Sequence, residues 1–181
     1  MTLSADDASA ALADIESISR RVKQSSIYRA SSLILIGWGA LVALGNLAAS
    51  FAGPSTGRVW IALNVVGVAM TIALLARTRH AGAAPLRALA AFGLFFAFGF
   101  VWCLLLGRMG PREQDAFWPT LFLFGYALAG LFIGRAFTLI GVGLAALIVA
   151  GYEGLGAGYD LYLALVNGGG LMLCGYWMRR A

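Results

Sequence analysis

Charged side chains are scarce in this chain of 181 residues, which contains 13 Lys and Arg and 8 Asp and Glu. They make up 12% of the residues, against about 25% in soluble domains, and hydrophobic residues make up 61%. So few charges cannot cover an apolar core with a polar shell. The composition therefore excludes an ordinary water-soluble enzyme and predicts a protein that uses lipid as its solvent.

Residues for catalysis and metal binding are also scarce. The single histidine, His80, and the two cysteines, Cys103 and Cys174, have no neighbour at metal-ligand spacing. Phosphate-binding loops, nucleophile elbows and HExxH motifs are absent, and no loop has a dense basic run with stacking aromatics. We therefore expect no enzyme activity, no cofactor, no metal and no nucleic-acid partner.

Six stretches without any charge predict six transmembrane helices, because about 20 apolar residues cross a hydrocarbon core of roughly 30 Å. None of them contains Asp, Glu, Lys, Arg or His, which argues against proton-coupled transport. The predicted fold is all-α, with a six-helix transmembrane domain at 30–178. Its spans are expected near 31–52, 59–77, 87–107, 116–133, 136–152 and 160–178. We expect Gly134 to end the fourth helix in a left-handed conformation, so that the fourth and fifth spans form a tight hairpin.

Residues 1–29 predict an amphipathic helical arm before the first span. Acidic residues lie in its first half and basic residues near its end, as the helix dipole favours. Its apolar residues recur every three or four positions and form one stripe. The arm is expected either to lie on lipid headgroups or on the protein's own loops, or to self-associate through Ala8, Ile15 and Val22, which share one heptad position.

The positions of Lys and Arg predict the orientation. If the N-terminus is inside, the segments on that side hold ten Lys and Arg, and those on the other side hold three. This predicts both termini in the cytoplasm, so that the arm and a short tail at 179–181 are cytoplasmic.

Neutral polar residues within the spans are the candidate functional residues. Three asparagines, a tryptophan and a tyrosine are expected at similar depth in the outer half of the bilayer. An asparagine in hydrocarbon needs a hydrogen-bond partner, so the asparagines either join helices, at about 0.6 kcal/mol each, or line an outward-facing cavity. The candidate cavity-lining residues are Asn46, Asn64, Trp102, Tyr126 and Asn167.

Glycines are abundant in the spans, and small residues let helix backbones approach closely. The glycines predicted to mediate helix packing are Gly37, Gly39, Gly130 and Gly134. Three consecutive glycines in the last span, Gly168, Gly169 and Gly170, weaken a helix by about 1 kcal/mol each relative to alanine. They are a candidate helix break, of the kind that lines substrate sites in transporters, or a close crossing point with a neighbouring helix.

The chain resembles small six-span inner-membrane proteins of unassigned function that are found in bacteria. The resemblance rests on the charged helical arm, the opening Leu33-Ile34-Leu35-Ile36-Gly37-Trp38-Gly39 of the first span, the glycine triplet, and the ending Trp177-Met178-Arg179-Arg180. It implies no activity, cofactor or functional residue.

The sequence thus predicts a non-catalytic structural or interaction subunit. Its expected partners are membrane lipids and either a second copy or another protein, bound through the N-terminal helix, with its basic loops near anionic headgroups. The alternative is a channel or facilitator for a small neutral or apolar solute, with the asparagines and aromatic residues as its wall.

Overall fold

The computed structural model describes residues 5–52, 55–77, 84–107, 109–156 and 158–180, and in these ranges it contains helices and no strands. His80 lies outside them. The described ranges contain six helices: α1 Ala5–Ala52, α2 Thr56–Arg77, α3 Ala84–Leu106, α4 Pro111–Ile133, α5 Arg135–Gly154 and α6 Tyr159–Arg180. The all-α fold class is therefore confirmed.

In the part of the chain that the structure describes, five segments are long and apolar enough to cross a membrane. They are Ser31–Phe51 within α1, and the whole of α2, α4, α5 and α6. In α3 the apolar part, Ala90–Leu106, is shorter. The apolar helices are consistent with a membrane protein.

Helix α1 is continuous through the boundary that the sequence suggested near residue 30. It has 48 residues, which corresponds to a length of about 72 Å. Its first half therefore continues directly into the apolar segment Ser31–Phe51 as one helix.

The helices pack in the order α2, α1, α6, α5, α4, α3, with the α4–α5 and α1–α6 pairs making the most extensive contacts. The share of buried residues is highest in the helices at the middle of this order and lower toward its ends. In the apolar segments of α5 and α6, 39% of residues are buried, against 6% in α2. The core lies mainly between α4, α5 and α6, where Leu123, Ile140, Ile148 and Leu163 are almost fully buried. Most residues of α2 are therefore at least partly exposed.

Aromatic rings hold α3 to its neighbours. Phe92 of α3 contacts Phe122 of α4 at 5.1 Å between ring centroids, and Phe96 contacts Trp118 at 5.5 Å. On the other side, Phe92 lies 5.5 Å from Trp38 of α1. Offset and tilted ring pairs of this kind contribute about 0.5–1.5 kcal/mol beyond their buried area. The arrangement of helices therefore curves back until α3 contacts α1.

α4 and α5 form the tight hairpin that the sequence predicted, and the turn between them takes a single residue. α4 ends at Ile133 and α5 begins at Arg135. Gly134, between them, has φ 158° and ψ 150°. These angles differ from the left-handed cap conformation expected for this glycine. They lie in a region of backbone conformation that is open essentially to glycine.

Gly130 allows the two helices of the hairpin to touch. A Cβ added there would lie 2.3 Å from the backbone nitrogen of Thr138 in α5. Gly130 therefore lets α4 and α5 approach closely, while Gly134 forms the turn.

Candidate functional site

The three asparagines of the spans lie on α1, α2 and α6. The Nδ2 group of Asn46 donates to the carbonyl oxygen of Val42 at 2.9 Å, and that of Asn64 donates to the carbonyl oxygen of Trp60 at 2.8 Å. Asn46 and Asn167 are each 3% exposed, and Asn64 is half-buried. A bond to the carbonyl four residues earlier satisfies an amide N–H within its own helix, so neither Asn46 nor Asn64 needs a ligand to explain its position.

The two aromatic candidates lie in different surroundings. Trp102 is 41% exposed, and its ring lies 6.2 Å from that of Phe98, one turn earlier in α3. Tyr126 stacks on Phe137 of α5 at 6.4 Å, with an angle of 13° between the ring planes. Trp102 is therefore on the outer surface of α3, and Tyr126 is part of the α4–α5 contact.

The glycines of the first span contact two different helices. A Cβ added at Gly37 would lie 2.3 Å from the sulfur of Met70 in α2. A Cβ added at Gly39 would lie 2.7 Å from the carbonyl oxygen of Gly168 in α6. Gly37 and Gly39 thus let α1 approach α2 on one side and α6 on the other.

The glycine triplet of α6 remains helical. The segment Ala164–Gly169 forms a π-helix, and α-helical geometry resumes at Gly170. A Cβ added at Gly168 would lie 2.7 Å from the Cα of Ala43 in α1, whereas one added at Gly169 would meet nothing within 4 Å. The triplet therefore forms a close crossing with α1 through a wide helical turn rather than an unwound segment. π-helical turns occur often at functional sites.

A cleft of about 220 Å³ lies between the start of α4 and the end of α5. Its lining residues are Glu113, Ala116, Phe117, Thr120, Val149 and Tyr152. None of the five predicted cavity-lining residues lines it. The sequence does contain a signal for it, because the four residues from α4 follow the spacing of one helix face and extend from the charged end of the helix into its apolar part.

Arg112 joins α4 to the end of α5 beside this cleft. Its guanidinium donates hydrogen bonds to the carbonyl oxygens of Tyr152 and Leu155. It also lies over the ring of Tyr152, 4.9 Å from the centroid, and 5.6 Å from the centroid of Tyr159. The last carbonyls of a helix have no partner within it and carry partial negative charge. Arg112 therefore compensates the C-terminus of α5 and fixes one wall of the cleft.

Tyr159 and Tyr162 fasten α6 to α5 at the same end of the protein. The hydroxyl of Tyr162 donates to the carbonyl oxygen of Leu147 at 2.7 Å, and that of Tyr159 donates to the carbonyl oxygen of Ile148 at 3.4 Å. Both acceptors lie on α5, so this end of the α4–α5–α6 group is held by side chains bonded to backbone.

Metal-ligating side chains do not gather anywhere in the described part of the chain, where no group of three or more His, Cys, Asp or Glu residues is placed to hold an ion. Cys103 and Cys174 are both free thiols and half-buried.

The comparisons with known proteins found no family model, no curated protein and no solved structure that matches this chain. The fold and the site therefore define the class of protein here: an all-helical protein whose apolar helices suit a membrane.

Proposed function

We propose that this protein is a non-catalytic structural or interaction subunit of the bacterial inner membrane, which binds a second copy of itself or another protein through the N-terminal part of α1. The observation that carries the proposal is the continuity of α1 from Ala5 to Ala52. An unbroken helix bends only gently. Residues 5–30 therefore extend away from the membrane by about 39 Å rather than lying flat on lipid headgroups.

An arm that projects in this way presents its apolar stripe to water or to a partner. Ile15, in the middle of the stripe, is 63% exposed. The side chains of Ala8 and Val22, which share its heptad position, lie outside the described residues. A second helix packed along the stripe would cover these apolar side chains, as in a short coiled coil.

The proposed topology has six crossings with both termini in the cytoplasm. Helix α3 supports it, because its 23 residues correspond to about 34 Å, enough to cross the hydrocarbon core. Its Arg87 is exposed and lies in its first turn, where a side chain can reach the membrane surface. The excess of Lys and Arg on the inner side supports the same orientation.

Cysteine cross-linking in native membranes tests the function. Cys103 and Cys174 are first replaced by alanine, and Ile15→Cys is then oxidised and compared with Ser17→Cys. Each helix residue is rotated by about 100° from the one before it. Positions 15 and 17 therefore differ by about 200° around the helix axis, and the two cysteines lie on opposite faces of the arm. We expect Ile15→Cys to form a covalent dimer, or a disulfide with another protein, several times more efficiently than Ser17→Cys.

Two results would contradict the proposal. One is equal cross-linking at positions 15 and 17, which would mean random collision. The other is a strictly monomeric species without a bound partner when the protein is extracted in mild detergent and its mass is measured by light scattering.

The alternative function, a facilitator for a small neutral or apolar solute, has weaker support, because Asn46 and Asn64 already use their amides within their own helices. It requires that cysteines placed at positions 46, 64 and 167 react with a membrane-impermeant thiol reagent. Three unreactive positions would exclude it.

A further inference from the structure

The cleft between α4 and α5 is a groove with one charged end and one apolar end. Glu113 and Thr120 mark its extremes on α4, seven residues apart, which corresponds to about 10 Å along the helix axis. Phe117 and Val149 line it between these ends. The hydroxyl of Thr120 donates to the carbonyl oxygen of Ala116 at 2.7 Å. Because this hydroxyl is already used within α4, the end of the groove at Thr120 offers a ligand mainly apolar contacts.

The charged end is suited to a cation. Glu113 is exposed and contributes its carboxylate, and the ring of Phe117 lies on the wall. Aromatic rings attract ammonium groups through the negative charge of their faces. Arg112 is the basic residue next to Glu113, and its guanidinium is directed to the carbonyl oxygens of Tyr152 and Leu155. The guanidinium of Arg112 is therefore bonded to the end of α5 and not to the carboxylate of Glu113.

The charged residues around the cleft also favour a positively charged ligand. Among the described residues at this end of α4, α5 and α6, Arg112 is accompanied by four acidic residues, Glu113, Asp115, Glu153 and Asp160. Asp115 is close enough to Asp160 for the two charges to interact. An excess of carboxylates attracts cations and repels anionic headgroups.

We propose that this cleft binds a membrane lipid whose headgroup ends in a primary ammonium, with the ammonium at Glu113 and the upper part of an acyl chain along Phe117 and Val149. A primary ammonium can donate hydrogen bonds to the carboxylate as well as contact the ring of Phe117. The occupant is a lipid rather than a free amine because the groove runs into the apolar surface of the helices, where Val149 is 52% exposed. The cleft volume of about 220 Å³ accommodates the headgroup region, and the remaining chain lies in the bilayer.

Native mass spectrometry of the full chain in a neutral maltoside detergent tests this site. Phosphatidylethanolamine and phosphatidylglycerol with identical acyl chains are added in equal amounts, and the lipid-bound fraction of each is measured. We expect the ethanolamine lipid to be preferred about fivefold, the size of one favourable solvent-exposed ion pair. Glu113→Gln should abolish this preference, and Glu153→Gln, at an exposed acid that does not line the cleft, should keep it.

Two further measurements distinguish a lipid site from a site for a free amine. Val149→Phe fills the apolar part of the groove and should reduce binding of the ethanolamine lipid without removing the carboxylate. Ethanolamine alone, at the same concentration, should not displace the bound lipid. Equal occupancy by the two lipids, a preference that survives Glu113→Gln, or displacement by free ethanolamine would overturn the proposal.

Discussion

Two neighbouring glycines in the π-helical turn of α6 give the sharpest test of how α6 packs against α1. A Cβ added at Gly168 would lie 2.6 Å from the Cβ of Ala43 and 2.7 Å from both its Cα and its backbone nitrogen. Carbon atoms in contact prefer separations of about 3.5–4.0 Å, so one of the helices must move. A Cβ added at Gly169 would meet nothing within 4 Å.

Two energies decide the outcome of replacing each glycine by alanine. Alanine favours the helix by about 1 kcal/mol over glycine, and this gain is similar at adjacent positions. Overpacking costs about 1–3 kcal/mol and applies only at Gly168. We therefore expect Gly169→Ala to stabilise the protein by up to about 1 kcal/mol. Gly168→Ala should be less stable than Gly169→Ala by about 1–3 kcal/mol.

Reversible unfolding in mixed micelles, titrated with a denaturing detergent and followed by circular dichroism, measures both variants against the original protein. Gly170→Ala serves as a third point. Its added Cβ would lie 2.5 Å from the flexible tip of Leu144, which can rotate away, so its stability should fall between the other two. The reasoning would be refuted if Gly168→Ala were as stable as Gly169→Ala.

Three other predictions concern the hydrogen bonds and the topology. The indole Nε1 of Trp38 donates to the Thr71 hydroxyl at 3.0 Å, so Trp38→Phe and Thr71→Val should each weaken the fold by about 0.6 kcal/mol, and the double variant should cost less than their sum in the same titration. Arg112→Ala should destabilise the protein by about 1–2 kcal/mol, because two carbonyls lose a charged donor. The control is Arg135→Ala, at the exposed arginine that begins α5, which should change stability by less than about 0.5 kcal/mol. Activity reporters fused to the two termini should both report the cytoplasm if the chain crosses the membrane six times, and reporters on opposite sides would establish an odd number of crossings.

The sequence predicted which segments form helices better than it predicted how the helices are shaped and packed together. The charge-free stretches predicted an all-helical chain with long apolar helices, and the described residues contain such helices. Gly134 forms the turn between α4 and α5. Continuity of α1 was not predicted, because a change in composition from charged to apolar near residue 30 does not require a break in the backbone. The π-helical turn at Ala164–Gly169 was not predicted either, since glycines only lower helix stability and do not specify which helical form replaces it.

In the candidate site, too, features within one helix were predicted better than features formed by two helices. Asn46 and Asn64 were predicted to need hydrogen-bond partners, and each has one in its own helix. The cleft was missed because Glu113 and Tyr152 are 39 positions apart in the chain and come together only through the α4–α5 hairpin.

The sequence by itself determined the class of protein, because the cost of placing a charge in hydrocarbon acts on each stretch separately and can be counted along the chain. Tertiary structure alone decided which faces meet. When a helix is apolar on all sides, as α2 and α3 largely are, hydrophobicity does not distinguish a buried face from one that contacts lipid. The choice then depends on close fits between particular residues, such as Gly67 against the ring of Trp38 and Gly39 against the backbone of Gly168.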